Sequence, residues 1–435
     1  MPTRVRRAIN ARPIVDIHTH LYAPSFGANG VGNKPPSGRG EPLLLWGIDQ
    51  LLVYHYFVDE LFRVLAPGTL TPTAFWALPT TERADLVWRR LFVERPPVSE
   101  ASVGLITILT SLGLDPNEPD LTSYRSWFAA RDLDTHIDEV MRLAGVRRIV
   151  TTNEPFSEIE GPKWLKGAEP PDDPRFAPVI RVDPIVERWP EACATMEMHG
   201  YATNADLSGD TISETRRFLD DWVARMNPDY LACSLPPTFR YATAETRAGA
   251  DAHTTLVSRF FDECLVPAAR DHGLMLAVMI GAKRGVNPEM QLAGDGLGRA
   301  DTDSLCALAR VHPGVTFLVT MLSRENQHEL CVAARKFGNI MPFGCWWYVN
   351  TTSQIREITR MRLELLGTSF IPQHSDARVL EQLIYKWRHS RELIADCLAE
   401  RYAAAERAGS VITDDQITTD VKRLLDTNYT NRLGR

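Results

Sequence analysis

Apolar and polar positions follow two rhythms along this chain. At residues 13–21, "PIVDIHTHL" alternates β-branched and polar residues, then gives way to a stretch rich in glycine and proline, a strand followed by a long loop. Between Pro24 and Pro42 that loop holds five glycines and four prolines, which suits an irregular active-site loop. From 41 to 145 apolar residues recur three and four apart, most clearly over 43–65, 80–96 and 133–145. This predicts a helical block inserted after the first strand and closed at Gly145, a residue suited to a helix C-cap.

Beyond Gly145 short apolar runs alternate with longer helical patterns. The runs at 147–152, 177–183, 229–234, 274–280, 315–321, 340–346 and 369–375 read as strands. With the first, they make eight. Near-continuous apolar strands joined by helices imply a parallel sheet covered on both faces, and eight favour an α/β fold of the (β/α)8 TIM-barrel type over an open doubly wound sheet. The expected organisation is one barrel domain over 1–435, a helical insertion at 41–145, and a C-terminal appendage at 410–435 after a helix reaching about Gly409. The glycines of "GDGLGRAD" at 294–301 lack dinucleotide spacing and read as a loop before a helix.

Composition narrows the function classes. The 435 residues are 44% hydrophobic, with no apolar run approaching the ~18 to 20 residues needed to cross a bilayer. The expectation is a cytoplasmic protein without a membrane partner. A net charge of −7 disfavours nucleic acid while permitting a local basic pocket for a small anion. All seven cysteines lie between Cys193 and Cys397 and none forms a CxxC pair, so neither a zinc ribbon nor a disulfide framework is expected.

His18 and His20 flank Thr19 near the end of the first strand, so the two-residue period points both imidazoles the same way, half of a metal site. Asp16 is a candidate partner behind them. In a closed barrel the first and last strands are neighbours, which makes Asp376, where the last strand run ends, the candidate anionic ligand; His374 faces the same way if the strand continues. Asp376 also suits the N-cap of the helix that follows. Arg378, two residues on, could pair a carboxylate-binding fork with that aspartate.

Several segments, in order, resemble the uronate isomerase branch of the amidohydrolase superfamily. "PIVDIHTHL" resembles its first strand, and "IVTTNEPFSEIE" resembles "VCTTDDPVD". "FAPVIRVD" keeps Arg181 and Asp183 of "LPTFRPD", and "LAVMIGAKR" keeps Arg284 of "MQLHIGALR". "FGCWWYVN" keeps Trp346 and Trp347 of "FGSGWWFND", and "SDAR" keeps Asp376 and Arg378 of "TDSRS". The resemblance implies a metal-dependent barrel enzyme that interconverts aldose and ketose forms of a hexuronate such as glucuronate. The family's fifth-strand histidine falls on Met279, and its "SDH" on Ser234, Leu235 and Pro236.

The expected site follows. His18, His20 and Asp376 hold one divalent ion, zinc first, with manganese, iron or nickel also compatible. Arg181, Arg284 and Arg378 bind the carboxylate of a small sugar acid, and Trp346 and Trp347 form a wall. Asp376, His55 and Tyr56 are the candidate proton-moving groups. A metal-dependent hydrolase (lactonase or amidohydrolase) or decarboxylase of a carboxylated substrate is the alternative, then a non-catalytic barrel with a degraded site; a homo-oligomer fits any of these.

Overall fold

The computed structural model describes residues 1–29, 42–165 and 173–433. Much of the expected glycine-rich loop, 30–41, lies outside the described residues.

Seven parallel strands form one sheet: β1 (Ile14–Thr19), β2 (Val146–Asn153), β3 (Phe176–Arg181), β4 (Tyr230–Leu235), β5 (Met275–Ile280), β8 (Phe317–Met321) and β9 (Ile340–Pro342). They follow one another in chain order across the sheet, and helices occupy the intervals between most of them. β6 (Ala282–Lys283) and β7 (Gly296–Leu297) form a separate antiparallel ribbon in the loop after β5, which the apolar pattern does not signal because each is two residues long. Every residue of β1, β5 and β8 is buried, as expected for strands covered on both faces.

The sheet curls. The Tyr230 hydroxyl reaches from β4, three places along the sheet, to donate to the Ile17 carbonyl of β1 at 2.7 Å. The eighth expected strand, 369–375, is not a regular strand: it makes one parallel bridge, Ile371 to Phe343. Its continuation closes on β1 instead, where Asp376 N–H donates to the His18 carbonyl at 3.1 Å and His20 N–H to the Ala377 carbonyl at 2.7 Å.

Between β1 and β2 the chain is helical as expected, but the pattern at 43–65 divides into helices Ile48–Leu52 and His55–Val64. Tyr54, extended at φ −62°, ψ 142°, breaks the run and starts the second helix at His55. Helix Leu133–Ala144 is capped by Asp132, whose side chain accepts from Thr135 N–H, and ends on Gly145 in the left-handed region at φ 68°. A long helix, Gln382–Arg407, matches the expected C-terminal helix. After it, Tyr429 is buried with its hydroxyl donating to Asp229 at 2.7 Å, and Asp426 pairs with Arg12 and Arg147, so the final segment is tied to the strand starts.

Candidate metal centre and its pocket

The β1 edge and the turn after residue 375 bring His18, His20 and Asp376 together. Among the described residues they are the one group of histidine, cysteine and acidic side chains whose ligand atoms all lie within 4.8 Å of each other. Asp376 Oδ1 stands 3.3 Å from His20 Nε2 and 3.8 Å from His18 Nε2. Asp376 is not a helix N-cap: its backbone is left-handed at φ 55°, and the helix begins six residues later behind Glu381. Aspartate tolerates this conformation better than most residues, and here it turns the carboxylate back over β1.

The hydrogen bonds around both imidazoles fix their tautomers. Tyr230 spends its proton on the Ile17 carbonyl, so its oxygen accepts from His18 Nδ1–H at 3.2 Å. Thr152 likewise donates to the Thr19 carbonyl at 2.9 Å and accepts from His20 Nδ1–H at 3.0 Å. Each Nε2 therefore carries a lone pair toward Asp376 Oδ1, which has no hydrogen-bond partner. Burial keeps both rings neutral, pushing His18 down to about 3 and His20 well below the usual histidine range, with nearby arginines reinforcing His20. Three proton-free acceptors facing one point repel unless a cation lies between them, so these residues fit a divalent metal. Asp16, expected behind the histidines, serves the turn instead: it accepts from Ser375 N–H at 3.0 Å and Trp387 Nε1–H at 2.8 Å.

His374 is not part of the trio. Its ring is fully buried 5.1 Å from that of His18, and it occupies the space where Gly344, at φ 64°, has no side chain: a Cβ there would stand 1.8 Å from the ring.

The pocket over the trio is lined by all three expected arginines, His55, both tryptophans and Met279. It adjoins a chamber of about 380 Å³ with which it shares His20, His55, Arg181, Leu292 and Arg378. The arginines are not equivalent. Arg181 forms a two-pronged pair with Asp183 at 2.8 and 3.1 Å, and Ser234 N–H holds Asp183 from behind at 2.9 Å. Burial opposes the Arg181 charge, but Asp183 and Glu154 keep it firmly protonated. Arg284, half exposed, pairs with Asp295 at 2.5 Å. Arg378 lines the pocket with no acid partner among the described residues, which makes it the freest cation there.

Of the candidate proton-moving groups, Asp376 and His55 line the pocket; Tyr56 does not. Consecutive helical residues diverge by about 100°, so Tyr56 turns into a neighbouring cavity, with its ring 5.9 Å from Tyr348. His55 keeps an unpartnered Nε2, and burial holds its ring well below the usual range. Trp347, like Asp376, has a left-handed backbone, φ 47°. Sequence reasoning missed Tyr230, Thr152 and Asp295. Tyr230 shares the inward period of Ala232 and Ser234 on β4, a usable signal, but its partner is 212 residues away.

A parallel α/β sheet with two strand-end histidines and an aspartate converging from the far end of the chain defines a metal-dependent enzyme class, and comparison with known proteins identifies the branch. No protein-family sequence pattern and no curated protein sequence matches the chain. Among solved structures, a uronate isomerase from Bacillus halodurans is 44% identical, covering 100% of this chain and 96% of that one with a TM-score of 0.90. A uronate isomerase from Thermotoga maritima (14% identity, 99% and 97% coverage, TM-score 0.76) and a glucuronate isomerase from Caulobacter crescentus (14%, 99% and 93%, 0.75) share the fold. The chain belongs to the uronate isomerase family of the amidohydrolase superfamily. It is an isomerase.

Proposed function

We propose that the chain interconverts the aldose and ketose forms of a hexuronate such as glucuronate, with His18, His20 and Asp376 holding one divalent ion, zinc first. The observation that carries this reading is the convergence of two imidazole lone pairs and an unpartnered carboxylate oxygen beside an unpaired arginine. When bound, such an ion supplies charge stabilisation to the sugar's carbonyl and neighbouring hydroxyl oxygens, which makes the carbon-bound proton between them acidic.

The side chains do the rest. Arg378 takes the substrate carboxylate, with Arg181 and Arg284, each already balanced by an aspartate, shaping the field around it. Asp376 moves the proton between C2 and C1, and His55 Nε2 contacts the hydroxyl whose proton shifts. Trp346 and Trp347 wall off water. Residues 369–375 serve as the eighth stave, closing a (β/α)8 barrel through the bridge to Phe343 on one side and the bonds of the following Asp376 and Ala377 to β1 on the other, with 41–145 as its insertion.

Incubation with glucuronate or galacturonate tests this reading: a ketose product is expected, with deuterium from labelled water at the carbon beside the carbonyl wherever the base exchanges its proton. No ketose from either acid, with metal bound, would overturn the substrate assignment.

A further inference from the structure

A second cavity, of about 360 Å³, lies on the other side of Trp347 from the metal centre. It is lined by the helices between β1 and β2, by the stretch from Trp347 to Thr351 and by the start of helix Gln382–Arg407. Its walls are largely apolar and aromatic, with Leu51, Phe57, Leu105, Ile108 and Tyr385 among them. Its size lies within the roughly 300–1,000 Å³ typical of small-molecule sites. Tyr56, turned away from the reaction pocket, faces it.

One charged group stands out in this lining. Lys386 is 6% exposed, and no ion pair reaches its ammonium among the described residues. The acids nearby also have other contacts: Glu100 accepts from Tyr385 and Thr352 and stands 3.3 Å from His389 Nδ1, and Glu60 accepts from Ser99 at 2.7 Å. Asp59, the remaining acid of the lining, is pushed up to about 7 by burial and is in good part neutral. What Lys386 has instead is the rings of Tyr56 and Tyr385, 5.6 and 5.7 Å from its nitrogen, near the outer limit of cation–π attraction. Burial pulls Lys386 down to about 8, outweighing Asp376 and Glu100, which favour its charge from a distance, and an anion in direct contact supplies the pairing that no described side chain makes.

We propose that this cavity binds a small organic carboxylate with an aromatic or aliphatic body, its carboxylate on Lys386 and its body among the apolar walls. Trp347 forms a wall of both cavities, so an occupant packs against the same indole that borders the metal pocket.

Fluorine NMR with 4-fluorobenzoate on the full chain tests the proposal, in the presence of saturating, equilibrated glucuronate that fills the arginine-lined pocket. Wild type should bind saturably, and 4-fluorobenzyl alcohol, which lacks the charge, at least about tenfold more weakly. Lys386→Met should weaken fluorobenzoate by about tenfold or more, as should Ala101→Trp, which fills the cavity and keeps the lysine. Ala101→Trp leaves isomerase activity in place, so it decides the question if the lysine variant fails to fold. Absence of saturable binding, indifference to the carboxylate, or equal binding by the wild type and Ala101→Trp would overturn the proposal. Glucuronate displacing the probe equally from wild type and variant assigns it to the arginine pocket, with the same consequence.

Discussion

Where β1 meets the turn at 375–377, His18, His20 and Asp376 bring three proton-free acceptors together; across the same pocket, β4 and β5 present Ala232, Ser234 and Met279. One side is polar, strained and held by buried hydrogen bonds, whereas the other is small or apolar. In the family pattern the fifth strand contributes a histidine, and this chain has Met279 there, 1% exposed. The difference teaches how such a site divides its work. His18, His20 and Asp376 would hold an ion from the β1 side, where it would supply charge stabilisation to the substrate's oxygens, and the soft Met279 thioether opposite suits packing rather than coordination.

Breaking the gripping side should have the largest effect. His18→Ala with His20→Ala removes both nitrogens, and activity is expected to fall by roughly a thousandfold or more, the several kcal/mol that a Lewis acid contributes. Steady-state rates at fixed added metal check this; retention of wild-type turnover would refute the grip. Next come the groups behind the ligands. Tyr230→Phe and Thr152→Val each free an imidazole to turn or change tautomer, with metal affinity expected to drop by about 10–100-fold in a competitive chelator titration. Unchanged affinity would show that the tautomers are set otherwise.

Substitution of the arginines sharpens the comparison further. Arg378→Met should raise KM by about tenfold or more, the value of one charge-assisted contact. Arg181→Met should act on a different quantity, unfolding the protein at a lower temperature because Asp183 is left buried without its partner. Equal KM effects and equal melting temperatures for the two would remove the distinction. The smallest change belongs to the far side: Met279→Leu conserves volume and should alter turnover and metal content by less than about twofold.

These contrasts also mark what the sequence could reveal. The nearness of the strand-end histidines to the distant aspartate was legible because a two-residue period and a closed sheet constrain where side chains go; their ligand atoms lie within 4.8 Å of one another. Division of the 43–65 helix was not, since both halves keep the apolar spacing and only the extended backbone at Tyr54 separates them. That one break sends His55 into the reaction pocket and Tyr56 into its neighbour. The unequal arginines were hidden for a related reason: Asp295 lies 11 residues from Arg284 across a ribbon too short to leave a pattern. Asp16 was placed correctly beside the site and misassigned in role, because its partners, Ser375 and Trp387, come from the far end of the chain.

The central claim is that the trio is a metal site as built, with each imidazole proton held on Nδ1, toward Tyr230 or Thr152, and each Nε2 left free. Elemental analysis of wild-type protein purified without chelators, beside His20→Ala, tests it most directly. One equivalent of a divalent transition metal per wild-type chain, lost in the variant, is the predicted result. An active wild-type protein carrying no metal, or a variant that retains the full equivalent, would contradict it.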